Sequence, residues 1–328
     1  MKIDIHTHIM PSKMPDWTKK FGYGEFIHLE HRNCKACMIK GDKVFRVVEE
    51  NTFDSEKRKQ DMASTDVDIQ VLSTIPVLFN YWAKASDGLE TARFFNDHIA
   101  ETVSANQSSF IGLGTLPLQD VSLAIKEMER CINKLHFPGV EIGSNINGLN
   151  LGEERFFPFY EAAEKLGCAI FVHPWEMMGE DQMQKYWLPW LVGMPAETSR
   201  AICSMIFSGV FEKFPKLRVA FAHGGGSFPL TIGRIEHGFN VRPDLCAVDN
   251  SVNPRNYIGK FWIDSLVHDP MAMNYIIKLM GEDNICLGSD YPFPLGEHHP
   301  GKMIEDMDLK KSVKEKILYR NAKNWLNL

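Results

Sequence analysis

Residues 2–9 read KIDIHTHI, an apolar, β-branched run that carries two imidazoles one residue apart. Such a run is typical of a β-strand, in which the side chains at positions i and i+2 point to the same face. We therefore expect His6 and His8 to share one face, with Ile5, Thr7 and Ile9 on the other. Two bases on one strand face have no ordinary packing role, so this strand is the first candidate for a functional site.

Seven further apolar runs follow along the chain, and segments with helical spacing of apolar residues lie between them. The runs are residues 67–76, 110–118, 139–145, 168–174, 217–226, 261–267 and 284–293. Near-continuous apolar strands are typical of a parallel sheet that helices cover on the outside. Residues 123–135 carry apolar side chains at helical spacing, and residues 157–167 end in Gly167, as a helix C-terminus does.

Strand and helix alternate eight times, which predicts a (β/α)8 TIM barrel, and we interpret residues 1–328 as one such domain. A doubly wound open sheet is the alternative, but the G-x-G-x-x-G fingerprint is absent. Residues 11–50 do not follow the alternation, and Gly41-Asp42 between two short alternating runs predicts a hairpin there. We interpret 11–50 as a small insertion after the first strand that helps to cover an active site.

The composition excludes several classes of function. With 44% hydrophobic and 24% charged residues the chain can bury a core, unlike a disordered protein. The net charge of −6, without a block of Lys or Arg, argues against a nucleic-acid partner. No apolar stretch approaches the roughly 18 residues that cross a bilayer, so we expect no membrane association. Seven scattered cysteines, an odd number, favour reduced thiols in the cytoplasm over a disulfide framework.

Polar residues also end three of the other predicted strands. His173 ends the fifth run, His223 the sixth, and Asp290 the eighth. Because the carboxyl ends of barrel strands meet at one rim, we expect these residues to lie beside His6 and His8. Imidazole and carboxylate suit Zn²⁺ or a similar divalent ion, and three or four protein ligands leave a position for water. The combination therefore predicts metal-activated water.

Each of these residues taken alone is weak evidence, because a single strand histidine is more often a packed residue with a hydrogen-bond partner. The prediction depends on the combination and on the barrel. Cys34 and Cys37 form a single C-x-x-C without a second pair, so we assign them no site. His298 and His299 are expected in an exposed loop, and no serine-hydrolase or nucleotide-binding motif is present.

The same pattern resembles the amidohydrolase superfamily, in the H-x-H of the first strand and in the motifs FVHPWEMMG, FAHGGGSFP and LGSDYPFPLGE. The fourth strand, GVEIGSN, lacks the Lys that bridges two metals in some members, so a single metal is expected. The resemblance narrows to decarboxylases of this superfamily that act on a small dicarboxylate in tryptophan breakdown by the kynurenine route. It spans nearly the whole chain.

The resemblance implies a role for each matching residue. The ligands of one divalent ion, usually Zn²⁺, are matched by His6, His8, His173 and Asp290. We expect Asp290 to be catalytic as well. His223 matches a general acid/base that is not a persistent ligand. The remaining matches are substrate-binding, namely the carboxylate-binding Arg46 and Arg234 and the pocket-lining Trp190 and Phe293. Arg234 is expected to reach the neighbouring active site of a homodimer.

Taken from the residues alone, Arg46 reads as a partly buried strand residue, Arg234 as a solvated helix arginine and Trp190 as a core or interface aromatic. Two alternatives to this function stay open. One is a related aromatic-acid decarboxylase or a metal-dependent hydrolase on the same scaffold, because fold and metal ligands do not choose the reaction. The other is a metal-binding barrel without catalytic activity.

Overall fold

The computed structural model describes residues 1–32 and 35–328. Its strands, in chain order, are β1 (Ile3–Ile9), β2 (His28–Arg32), β3 (Lys35–Lys40), β4 (Lys43–Glu49), β5 (Ile69–Thr74), β6 (Phe110–Thr115), β7 (Gly139–Gly143), β8 (Asn145–Ile146), β9 (Leu149–Asn150), β10 (Ala169–His173), β11 (Arg218–Phe221), β12 (Trp262–Asp264) and β13 (Ile285–Cys286).

The α-helices are α1 (Trp17–Phe21), α2 (Ser55–Ser64), α3 (Ala85–Ala105), α4 (Val121–Asn133), α5 (Phe157–Leu166), α6 (Met194–Phe207), α7 (Val210–Lys213), α8 (Phe228–Val241), α9 (Pro243–Cys246), α10 (Pro270–Met280), α11 (Lys302–Asp306), α12 (Lys311–Glu315) and α13 (Asn321–Leu326). A π-helical turn, Pro189–Gly193, runs directly into α6. Both helices predicted above form, and α5 ends at Gly167 in a left-handed conformation. Among residues 1–32 and 35–328, every helix is too short or too polar to cross a lipid bilayer.

Eight strands form one parallel sheet in the order β1, β5, β6, β7, β10, β11, β12, β13. The chain segment after β13 returns to β1, where the His8 amide donates to the Tyr291 carbonyl at 2.8 Å and the Asp290 amide to the His6 carbonyl at 2.8 Å. These bonds bring the last strand end against the first. The predicted (β/α)8 barrel is confirmed, and each of its strands lies within one of the predicted apolar runs.

Residues between β1 and α2 form a second, three-stranded antiparallel sheet of β2, β3 and β4. Lys40 pairs with Lys43 across a turn at Gly41 and Asp42. Met38 and Val48 are buried and pack, with Met10 and Ile75, in a cluster beside the barrel mouth. This sheet therefore lies over the carboxyl ends of the barrel strands.

The barrel interior is filled by apolar side chains at its amino-terminal end. Ala169 and Phe171 belong to a cluster with Ile3 and Ala220, whereas Ile170 and Val172 of the same strand pack outside against the helices. Trp325 on α13 joins the inner cluster, with its ring 6.0 Å from that of Phe171. Apolar packing thus closes the amino-terminal end of the barrel interior.

A β-bulge in β1 changes the predicted facing of its side chains. Asp4 pairs with Gln70 and Thr7 with Leu72, so β1 has one more residue than β5 over this stretch. Ile5 therefore packs in the inner cluster, and the imidazole of His6 also faces inward, with its ring 5.0 Å from that of Phe171. The prediction that Ile5 lies on the face opposite the imidazoles is wrong, because strict alternation does not hold across a bulge.

Candidate metal centre and active site

Three strand ends bring four potential metal ligands together. One ligand atom each from His6, His8, His173 and Asp290 lies within 4.8 Å of the other three, and all four residues are buried. Asp290 Oδ1 lies 3.4 Å from His6 Nε2 and 3.2 Å from His8 Nε2. The imidazole centroids of His6, His8 and His173 are 5.0 to 5.1 Å apart. The predicted ligand set is therefore one cluster, although its members are far apart in sequence.

The hydrogen bonds of these histidines fit a bound divalent ion. Each Nδ1 has a partner, at 2.7 Å from Asp264 for His6, 2.9 Å from the Thr74 carbonyl for His8, and 2.9 Å from the Pro174 carbonyl for His173. The three Nε2 atoms are buried and have no hydrogen-bond partner among the described residues. Nδ1–H donors of this kind fix the tautomer, which leaves each Nε2 lone pair available to a metal. Buried polar atoms without partners are costly, and a cation would supply the missing partner.

The charges of the cluster perturb one another strongly. Burial alone would raise the pKa of Asp290, but close contacts of its carboxylate with the imidazoles of His223, His6 and His8 hold that pKa well below its ordinary value. Burial, reinforced by the neighbouring imidazoles, lowers the pKa of His173 well below its ordinary value, and burial also lowers the pKa of His8. Burial disfavours a charged His6, yet the carboxylates of Asp264 and Asp290 raise its pKa to about 10. Such opposed shifts are typical of functional sites.

His223 lies beside the four-ligand cluster without belonging to it. Its Nε2 is 3.8 Å from Asp290 Oδ2, and its ring centroid is 5.1 Å from those of His6 and His173. The residue lies two positions after the end of β11 and has a left-handed backbone with φ of 56°. Its side chain is 14% exposed, so it is accessible in a way that the ligand histidines are not. This is the geometry expected of a nearby acid/base group.

A narrow cavity opens above the cluster. It has a volume of about 30 Å³ and is lined by ligand residues together with Arg46, Trp190 and Phe293. A second cavity of about 330 Å³ lies next to it and has His223 in its lining. Trp190, Met194 and Leu295 line both cavities and so separate them.

Arg46, on β4, has an aromatic setting. Its guanidinium carbon lies 4.7 Å from the centroid of Phe293 and 5.6 Å from that of Trp190. Burial lowers the pKa of Arg46, and no carboxylate of residues 1–32 and 35–328 forms an ion pair with it. An arginine that stacks on rings and has no anion of its own can bind a carboxylate in a fixed plane.

Other predicted residues lie elsewhere. Arg234 is exposed on α8 and lines neither cavity of its own chain. His298 and His299 line a different cavity beside Tyr291. Cys37 is buried, whereas Cys34 lies outside the described residues.

Two buried carboxylates near the cluster were not predicted. Asp264, which ends β12, accepts from His6 Nδ1, and burial would raise its pKa, but this bond and its neighbours lower it. Glu141 on β7 is fully buried, with Oε1 3.7 Å from His8 Nδ1, and burial raises its pKa well above the ordinary value. The signal in the sequence was an acidic residue inside an apolar strand, in FWIDSLV and GVEIGSN.

A buried arginine supports the cluster from outside the barrel. Arg58 is fully buried and donates to the His8 carbonyl at 2.7 Å and to Gln70 Oε1 at 3.1 Å. Its guanidinium carbon also lies 4.7 Å from the ring centroid of Tyr291, which follows Asp290. Arg58 therefore connects the two strand ends that carry three of the four potential ligands.

Known proteins resemble the chain in sequence and in fold. The model of the amidohydrolase family matches residues 3–328. The chain is 57% identical to the 2-amino-3-carboxymuconate-6-semialdehyde decarboxylase of Dictyostelium discoideum over 330 residues, which cover 100% of this chain and 92% of the relative. It is 39% identical to the enzyme of the same name from Caenorhabditis elegans, covering 100% of this chain and 94% of that one.

Among solved structures, a dihydroxybenzoic acid decarboxylase from Polaromonas sp. JS666, with bound manganese and the inhibitor 2-nitroresorcinol, has a similar fold. The TM-score is 0.80 at 21% sequence identity, and the match covers 100% of this chain and 97% of that one. At this identity the likeness concerns the fold alone.

Proposed function

The chain belongs to the amidohydrolase family, and we propose on that basis that it is a metal-dependent carboxy-lyase. It converts 2-amino-3-carboxymuconate 6-semialdehyde to 2-aminomuconate 6-semialdehyde and CO₂, without an oxidant, as the names of its relatives indicate. This reaction belongs to tryptophan breakdown by the kynurenine route. The observation in the structure that carries the assignment is Arg46, a partly buried cation without an ion-pair partner among the described residues, directly above the four potential ligands.

His6, His8, His173 and Asp290 hold one divalent ion in this proposal, and zinc is the ion that we expect from three imidazoles and a carboxylate. A bound divalent ion lowers the pKa of a coordinated water from about 15.7 toward about 7. The protein fixes the tautomers of the three histidines through their Nδ1 partners and buries the site.

His223 exchanges a proton with the substrate. The carbon that loses the carboxylate must gain a proton, since a C–C bond breaks and a C–H bond forms in its place. The imidazole of His223 is partly exposed, lies 5.1 Å from those of two ligands and lines the larger of the two adjoining cavities, where it can reach a substrate that extends into both. An imidazole can both accept and donate a proton, which suits the proton exchange that this step requires.

Arg46 binds a substrate carboxylate and orients it, with Phe293 and Trp190 fixing the plane of the guanidinium. This role makes residues 11–50 an insertion that supplies part of the active site to a single barrel domain. The cavity above the ligands holds about one water molecule, so a dicarboxylate needs the side chains shared with the larger cavity to move.

The protein acts as a homodimer in which Arg234 binds substrate in the neighbouring protomer. In a single chain Arg234 is exposed and lines neither of the two cavities. Apolar side chains nearby are also strongly exposed, with Leu230 at 69% and Leu245 at 64%, which supports a covering partner. The described cysteines are free thiols, which supports the cytoplasm as the compartment.

Comparing substrates tests the choice of reaction. Freshly prepared aminocarboxymuconate semialdehyde and a dihydroxybenzoic acid are each given to the zinc-loaded protein, and CO₂ release is measured. We expect the first to be turned over with a kcat/KM at least about 100-fold higher. Equal or reversed values would favour an aromatic-acid decarboxylase, and hydrolysis of an amide or lactone without CO₂ release would favour a hydrolase.

A further inference from the structure

We propose that Asp264 is a positioning residue that couples the metal ligands to His223. The inference deepens the proposed function and rests on it. Asp264 is the last residue of β12 and is fully buried. Its carboxylate contacts both the imidazole of the ligand His6 and the backbone of His223.

One oxygen of Asp264 makes both connections. His6 Nδ1–H donates to Oδ2 at 2.7 Å, and the His223 amide donates to the same atom at 2.9 Å. A carboxylate that accepts from Nδ1 keeps the proton on that nitrogen, so the Nε2 lone pair of His6 points at the metal. The distance between a ligand imidazole and the acid/base residue is thus set through a single atom.

The other oxygen of Asp264 holds the segment that carries His223. Oδ1 accepts the Gly224 amide at 2.7 Å and the Leu266 amide at 3.1 Å. Residues 223 to 226 have φ values of 56°, 63°, 75° and 62°, all left-handed. Such a conformation costs free energy at His223, which has a side chain, and persists only where the surroundings impose it. The hydrogen bonds that the His223 and Gly224 amides donate to Asp264 provide that constraint.

Gly288, which follows β13, permits the close approach of these groups. A Cβ at this position would lie 2.7 Å from Asp264 Cβ and 2.9 Å from His6 Cβ. A side chain there would push Asp264 and His6 apart without removing any polar group. Gly288→Ala is therefore a second, independent way to disturb the same coupling.

Asp264→Asn is the direct test. The Asn side chain keeps the shape of Asp but has one acceptor oxygen and one NH₂ donor. The two N–H groups that donate to the replaced oxygen must therefore face a donor. We expect the zinc dissociation constant, measured by chelator competition, to rise about 10- to 100-fold. We also expect kcat at saturating zinc to fall at least about 10-fold, with KM changed by less than about 3-fold, because His223 is displaced.

Asp269→Asn is the matched control. Asp269 is an exposed carboxylate on the same loop that caps α10 by accepting the Met271 and Ala272 amides at 2.7 and 2.8 Å. Asn caps a helix about as well as Asp, so we expect this variant to keep the melting temperature, the zinc affinity and the kcat of the wild-type protein. If Asp264→Asn behaves like this control, or changes only one of the two quantities, the proposal is overturned.

Two further arms cover the case in which Asp264→Asn does not fold. Gly288→Ala is expected to show the same paired losses of zinc affinity and kcat, and unchanged values would overturn the proposal. In wild-type protein with ¹⁵N-labelled histidine, we expect zinc-loaded His6 to carry its proton on Nδ1, and a proton on Nε2 would contradict it. If wild-type protein binds no zinc or releases no CO₂, the proposed function fails. If wild-type protein does both and Asp264→Asn matches it, only the present inference fails.

Discussion

Phe293 lies against the guanidinium of Arg46, with 4.7 Å between the guanidinium carbon and the ring centroid. Arg46 belongs to β4, whereas Phe293 lies in the segment after β13, and no carboxylate of the described residues forms an ion pair with the guanidinium. The pair therefore forms a ready-made surface for a planar carboxylate.

Replacing Arg46 with Met is expected to lower kcat/KM for the dicarboxylate about 30- to 150-fold, mainly through KM. This corresponds to the loss of roughly 2 to 3 kcal/mol from a charge-assisted hydrogen bond. Steady-state kinetics measure it. Lys43→Ala, which removes an exposed cation from the same strand, is the control and should change neither constant. An Arg46→Met enzyme with wild-type KM would remove Arg46 from the substrate site.

Thr7, between the two imidazoles of β1, is expected to matter for stability and not for metal. Thr7 is buried, and its hydroxyl donates to the Val71 carbonyl at 2.8 Å. Thr7→Val should therefore lose about 1 kcal/mol of unfolding free energy, whereas Thr7→Ser keeps the hydroxyl and the bond. Urea unfolding measures the difference. Loss of zinc from either variant would show that this side chain acts on the metal ligands.

The barrel and the ligand cluster were predictable because both follow from local patterns. Apolar runs identify the strands, and residues that end parallel strands necessarily meet at one rim, so His173 and Asp290 could be grouped with His6 from sequence. The facing of Ile5 was not predictable, since a bulge depends on how β1 pairs with β5. Asp264 was missed because an acidic residue inside a strand looks the same whether it faces water or a histidine.

His98 is expected to make stability fall with acid. Burial lowers its pKa to about 4, although a hydrogen bond with the Met10 backbone opposes this. Between about pH 6.5 and pH 4 the unfolded chain then binds a proton that the folded chain does not, so the unfolding free energy decreases as pH falls. The contribution is roughly 1 to 3 kcal/mol at pH 4.

His98→Asn removes the titration while keeping a hydrogen-bond donor. Urea unfolding of both proteins at pH 7.5, 6, 5 and about 4 should give a smaller loss of unfolding free energy with acid for the variant. The two proteins are compared by how steeply the unfolding free energy changes with pH and not by its absolute value, because the substitution also changes packing. Parallel pH profiles would mean that His98 titrates normally in the folded state.

The proposed dimer makes a prediction for mixed variants. Arg234→Ala and His223→Ala should each be nearly inactive. A hybrid dimer has one site with an intact His223 and the Arg234 of the other protomer, so refolding the two variants together should restore about a quarter of wild-type activity. Activity assays before and after mixing measure this. No recovery in a verified hybrid would place Arg234 outside the neighbouring site.

We propose that the four-ligand cluster holds the metal while His223 accepts and donates the proton. The most direct measurement combines metal content with CO₂ release for His173→Ala and His223→Ala beside the wild-type protein. We expect about one zinc per chain and turnover for wild type, about one zinc with little turnover for His223→Ala, and neither for His173→Ala. A His223→Ala protein without metal, or a fully loaded wild-type protein that leaves the muconate semialdehyde unchanged, would contradict it.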